Sequence, residues 1–141
     1  EEVYQLCIAA HLHDLGKLAV PNHILDKPGR LAAEEFDIVY AHPFYTRRGL
    51  QRITHFDKLA EWAANHHERL DGSGYPYGLR AAEMSYEDKL FMALDVYQAL
   101  TEERPYRGSM EHTSAMTIMR REAKGGKLDP DITEEIDTYF G

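Results

Sequence analysis

The chain has 141 residues, 43% of them hydrophobic, and a formal net charge of −8. That length suits one compact domain with its own core, and the acidic balance excludes a broad DNA- or RNA-wrapping surface, which neutralises phosphates with clustered Lys and Arg. No apolar stretch approaches the roughly 18 residues of a membrane span, the amino terminus lacks a secretory pattern, and the single Cys7 gives no sign of an oxidising compartment, so the expected location is the cytoplasm.

Apolar spacing is helical nearly throughout, which predicts an all-α fold. The first helix carries Val3, Leu6, Cys7, Ala10 and Asp14 on one stripe expected to face the core, and it ends in His13-Asp14 before Gly16. A turn follows, then a short helix over 21–26, a loop at Lys27-Pro28-Gly29-Arg30, and a helix over 33–41. Pro43 disfavours the helical region for the residue before it, so His42 sits at a joint and Pro43 opens the next helix, through about Ile53. A helix over 57–67 sets Leu59, Trp62, Ala63 and His66 on one stripe. The glycines and proline of 69–78 make a loop, the most apolar helix covers 85–102, and two amphipathic helices over 111–124 and 130–140 complete the chain.

Eight histidines invite a search for metal ligands. A carboxylate on the core-facing stripe of the first helix, Asp14, is costly unless paired with a cation or a metal; the alternative is a His13-Asp14 pair that caps the helix end. Asp95 is the only charged residue between Leu90 and Thr101 and is expected to be buried. It would bind metal or, alternatively, hydrogen-bond to a helix terminus or a buried Arg. His66 and His67 diverge by roughly 100° about their helix axis and would straddle two neighbouring ions, unless they are a surface pair. With His42 the candidate set is His13, Asp14, His42, His66, His67 and Asp95, which suits first-row metals such as Fe, Mn, Co, Ni or Zn.

The runs His13-Asp14-Leu15-Gly16-Lys17, Lys27-Pro28-Gly29-Arg30-Leu31 and His42-Pro43 resemble the first half of the HD-GYP family. The runs His66-His67-Glu68-Arg69-Leu70-Asp71-Gly72-Ser73-Gly74-Tyr75-Pro76, Asp95-Val96-Tyr97-Gln98-Ala99-Leu100-Thr101 and Arg104-Pro105-Tyr106-Arg107 resemble the second, in matching order and spacing. The HHExxDGxGYP stretch is the specific part, and the likeness runs from about Ala9 to Pro130.

This resemblance implies a helical HD-superfamily domain whose two or three divalent transition metal ions, iron or manganese first, cleave cyclic di-GMP to a linear dinucleotide or GMP. A metal-activated hydroxide would be the nucleophile. The six ligands match the family's metal pattern, with Asp14 and Lys17 in the catalytic roles. Lys17, Arg104 and Arg107 match residues that contact substrate phosphates, Tyr75 lies in the family's signature loop, and Arg80 is a further basic candidate; for each basic residue the alternative is a solvated surface side chain. A diguanylate cyclase (GGDEF) domain is an expected partner, and control would come through an upstream sensory or receiver domain. The alternatives are a non-catalytic signalling module and a phosphohydrolase of another cyclic nucleotide.

Two departures stand out. Gln98 replaces an aspartate common in the family, and the chain is expected to lack the family's earlier helix, which supplies another ligand. That loss would leave an exposed apolar strip and one weakened metal site. His11 is expected to have a surface or packing role.

Overall fold

The computed structural model describes residues 2–103 and 108–141. Among them the regular structure is eight α-helices and two short 3-10 segments, with one isolated bridge between Asp71 and Arg80. The fold is all-α, as the apolar spacing predicts. The helices form two compact units, Glu1–His67 and Glu68–Gly141.

In the first unit α1 (Glu2–Leu12) leads into a 3-10 segment (Leu15–Ala19), then α2 (Asn22–Leu25), α3 (Ala33–Tyr40), α4 (His42–Leu50) and α5 (Asp57–Asn65). Helix α5 is the centre, because Leu59, Ala60, Trp62, Ala63 and Ala64 are all buried and both α1 and α4 pack on it. The expected stripe of α1 is corrected. Val3 is 75% exposed, Cys7 and Ala10 are exposed as well, and Ala9 is the buried residue, flanked by half-buried Gln5, Ile8 and Leu12. Apolar side chains cover most of this helix's circumference, so spacing did not single out the face that α5 selects.

Helix α1 also stops at Leu12, which leaves His13 and Asp14 in the turn beyond it. The joint expected near His42 is real but lies at Ala41, with His42 the first residue of α4 and Pro43 in its first turn. A proline is tolerated there because that N–H has no partner inside the helix.

The second unit packs α6 (Tyr86–Thr101), α7 (His112–Lys124) and α8 (Pro130–Phe140) around Met92, Met116, Met119, Leu128, Ile132 and Ile136. Ser85 starts α6 with a reciprocal cap: its Oγ accepts from Asp88 N, and its own N donates to Asp88 Oδ2 at 3.0 Å. Asp129 caps α8 ahead of Pro130. A side-chain chain ties the three helices together, with Tyr97 Oη 2.9 Å from His112 Nδ1, His112 Nε2 2.8 Å from Asp137 Oδ1, and Arg120 donating to Asp137 Oδ2 at 2.7 Å. No described helix is long and apolar enough to cross a membrane.

Candidate metal centre

The chain reversal after α1 puts His13 and Asp14 against the start of α4. Gly16 permits this, since a Cβ there would collide with the His42 carbonyl oxygen. Asp14 then divides its two oxygens. Oδ1 lies 3.3 Å from His42 Nε2 and 3.9 Å from His66 Nε2, while Oδ2 lies 3.5 Å from His13 Nε2 and 2.7 Å from Lys17 Nζ. Two groups of mutually close ligand atoms result, one from His42, His66 and His67 and one from His13, Asp14 and His66. His42 and His66 are 1% exposed, so water cannot compete freely for either ring.

Three of the imidazoles share one hydrogen-bonding device. The Nδ1 atoms of His13, His42 and His66 bond the carbonyls of Ala10, Val39 and Ala63, each three residues back, at 2.6, 2.7 and 2.7 Å. A carbonyl only accepts, so each Nδ1 carries the proton, and in the neutral ring Nε2 holds the lone pair. Anchoring the far ring nitrogen in this way is the usual support for a metal-binding histidine.

The charges agree with the geometry. Burial opposes ionisation of Asp14, but His42, Lys17 and His13 outweigh it and hold the carboxyl well below the usual carboxylate range. Burial, reinforced by His67 and His13, pushes His66 down to about 2, so its ring is neutral across the physiological range. Nε2 lone pairs and a carboxylate therefore converge on one place. A divalent cation fits that position.

The other expected residues fall differently. Lys17 reaches the site, where it is paired with Asp14. Asp95 belongs to α6 of the second unit, and its expected burial is corrected to half-buried, because the buried part of that helix is Asp88, Phe91, Met92 and Ala93. Tyr75 is half-buried in the signature loop, and Arg80 is exposed, its N donating to Glu83 Oε2 at 2.9 Å. Arg104 and Arg107 lie outside the described residues. His11 is exposed, with Nδ1 bonded to the Cys7 carbonyl at 2.7 Å, and Gln98 is exposed on α6.

Two residues escaped the sequence reading. Thr46 is fully buried; its hydroxyl accepts from Gly16 N at 2.8 Å and donates to His13 O at 3.0 Å. Glu68, also fully buried, organises the signature loop by accepting from Tyr77 N at 2.7 Å and Leu79 N at 2.9 Å. The signal in the sequence is a carboxylate beside a glycine-rich loop, whose backbone N–H groups need acceptors that no helix supplies in advance.

The HD domain pattern matches residues 1–132. The chain belongs to the HD domain family. This HD domain is 44% identical over 131 residues, 93% of its length, to 3'3'-cGAMP-specific phosphodiesterase 1 of Vibrio cholerae. It is 44% identical over 123 residues, 87% of its length, to 3'3'-cGAMP-specific phosphodiesterase 3 of the same organism. A cyclic di-GMP phosphodiesterase of Pseudomonas aeruginosa is 39% identical over 126 residues, 89% of the HD domain. The chain spans 30%, 26% and 30% of the lengths of these relatives. Together they bear out the HD-GYP resemblance. Binding of divalent metal fits both the family and the histidine-aspartate cluster.

Proposed function

We propose that this HD domain is a metal-dependent phosphodiesterase that hydrolyses a cyclic dinucleotide of the cyclic di-GMP class to a linear dinucleotide or GMP. The observation that carries this reading is Asp14, one oxygen toward His42 and His66 and the other toward His13 and Lys17. A carboxylate so placed would help to hold divalent cations, which supply the Lewis acidity that phosphoester hydrolysis uses.

Bound divalent ions, iron or manganese and two or three in number, would supply an activated water nucleophile and neutralise phosphate charge. His13, His42 and His66 would hold the ions through Nε2, their Nδ1 atoms being tied to backbone carbonyls, with His67 beside His42 and His66. Lys17 exchanges its Asp14 partner for a substrate phosphate oxygen, bringing positive charge where negative charge develops. Asp95 as a sixth ligand, and Tyr75, Arg80, Arg104 and Arg107 as substrate contacts, rest on the HD-GYP resemblance. So do a GGDEF partner and an upstream sensory or receiver domain, while a cytoplasmic location rests on the single cysteine and the missing secretory pattern.

The names of the 44%-identical relatives favour a second reading in which the substrate is 3'3'-cGAMP. Incubating the protein, reconstituted with manganese or ferrous iron, with cyclic di-GMP, 3'3'-cGAMP and cyclic di-AMP decides between the two. Turnover of cyclic di-GMP at least as fast as of 3'3'-cGAMP supports the first reading, a clear preference for 3'3'-cGAMP supports the second, and no metal-dependent turnover of any of them overturns both.

A further inference from the structure

We propose that Thr46 is the positioning residue of the metal centre, the side chain that sets the distance between the His13-Asp14 turn and His42. This rests on the metal-centre reading above and assigns the registration of its parts.

Helix ends leave backbone groups to be met by other partners; the His13 carbonyl lies beyond the last α1 residue, and Gly16 N lies in the first turn of the following 3-10 segment. One hydroxyl, Thr46 Oγ1, bonds both: it accepts from Gly16 N at 2.8 Å and donates to His13 O at 3.0 Å. Thr46 lies on α4 four residues after His42, one turn on along the same face. The hydroxyl that grips the turn is therefore carried by the helix that presents His42, and it brackets Asp14 from both sides in sequence.

Gly16 closes the other half of the joint. Its missing side chain lets the turn rest on the His42 carbonyl, while Thr46 sets how far along α4 it rests. With both in place His42 Nε2 stands 3.3 Å from Asp14 Oδ1. Thr46 has 0% exposure, so no water can replace a lost hydroxyl without opening the interface. Its hydroxyl bonds the backbone of His13 and Gly16, and its effect passes through these two residues.

The test compares Thr46→Val, which keeps the shape and deletes the hydroxyl, with Thr46→Ser, which keeps the hydroxyl. Manganese affinity is titrated well below the melting temperature of each metal-free protein, and Met116→Ala, a core change in the second unit, serves as a control for general destabilisation. Thr46→Val is expected to weaken manganese binding by about tenfold to a hundredfold, the range for losing support behind a ligand, while Thr46→Ser stays near the parent and Met116→Ala leaves affinity unaltered. Thr46→Val binding as tightly as the parent, Thr46→Ser falling as far as Thr46→Val, or Met116→Ala losing as much affinity would each overturn the assignment. If the parent itself binds no manganese, the metal reading fails separately. The positioning claim is then judged on the imidazole NMR signals of His13 and His42 in the metal-free protein, which Thr46→Val must shift and Thr46→Ser must leave in place; unshifted signals in Thr46→Val overturn it.

Discussion

His42 Nε2 and Asp14 Oδ1 stand 3.3 Å apart, a buried imidazole against a half-exposed carboxylate, drawn from two helix ends that the sequence separates by a loop and two further helices. The pair brings a carboxylate oxygen and an imidazole Nε2 to one place from opposite ends of that stretch.

Replacing Asp14 by Ala removes the carboxylate whose oxygens face His42 and His66 on one side and His13 and Lys17 on the other. Metal content after equilibration with excess manganese is expected to fall sharply, and His66→Ala, which removes a donor common to both candidate groups, should do the same. Elemental analysis that finds parental stoichiometry in both variants would remove the proposed site.

Lys17 should separate from the ligands. Lys17→Ala frees Asp14 from its 2.7 Å partner, so metal content is expected to hold while kcat drops by about a hundredfold. Arg104→Ala and Arg107→Ala should mainly raise KM. Parental kinetics with normal metal in all three variants would defeat these assignments.

The loop anchored by Glu68 should be a stability element. Glu68→Ala orphans the Tyr77 and Leu79 N–H donors, each worth about 1–3 kcal/mol when left buried and unpaired. Urea denaturation should show this loss, with a smaller one for Glu68→Gln, which retains an acceptor. Equal stability of Glu68→Ala and the parent would contradict the bonding described.

Acid sensitivity of the metal-free protein follows from His66. Its pKa falls from 6.5 to about 2 on folding, so the unfolded chain binds the extra proton. The contribution is fully present above the unfolded value and is lost as pH drops below about 6.5, at up to about 1.4 kcal/mol per pH unit. Denaturation at pH 7 and pH 5 in chelator should give a steeper loss for the parent than for His66→Gln. Parallel losses would show that His66 is not held neutral by burial.

Gly16→Ala should be the most damaging small change in the first unit, since the added methyl meets the His42 carbonyl. A loss of about 4 kcal/mol or more is expected, together with metal binding. A variant with parental melting temperature and metal affinity would show that the turn does not press on α4.

The sequence by itself determined the helices and the candidate ligands. Periodicity is a property of one element about its own axis, so Leu59, Trp62, Ala63 and His66 could be placed on one face of α5 before any packing was known, and all four are buried. Caps and prolines act within a few residues, which is why α8 begins at Pro130 as expected. Tertiary structure decided what depends on a second element. The face of α1 that turns inward was chosen by α5, and Asp95 came out half-buried because the inward side of α6 lies elsewhere. The division of the Asp14 oxygens required His42 and His66 to arrive from α4 and α5. Thr46 meets His13 and Gly16 across 33 and 30 residues, and Glu68 reaches across the loop to Tyr77 and Leu79. Such contacts leave no periodic trace, because a hydroxyl or carboxylate finds its partner only after the helices have packed.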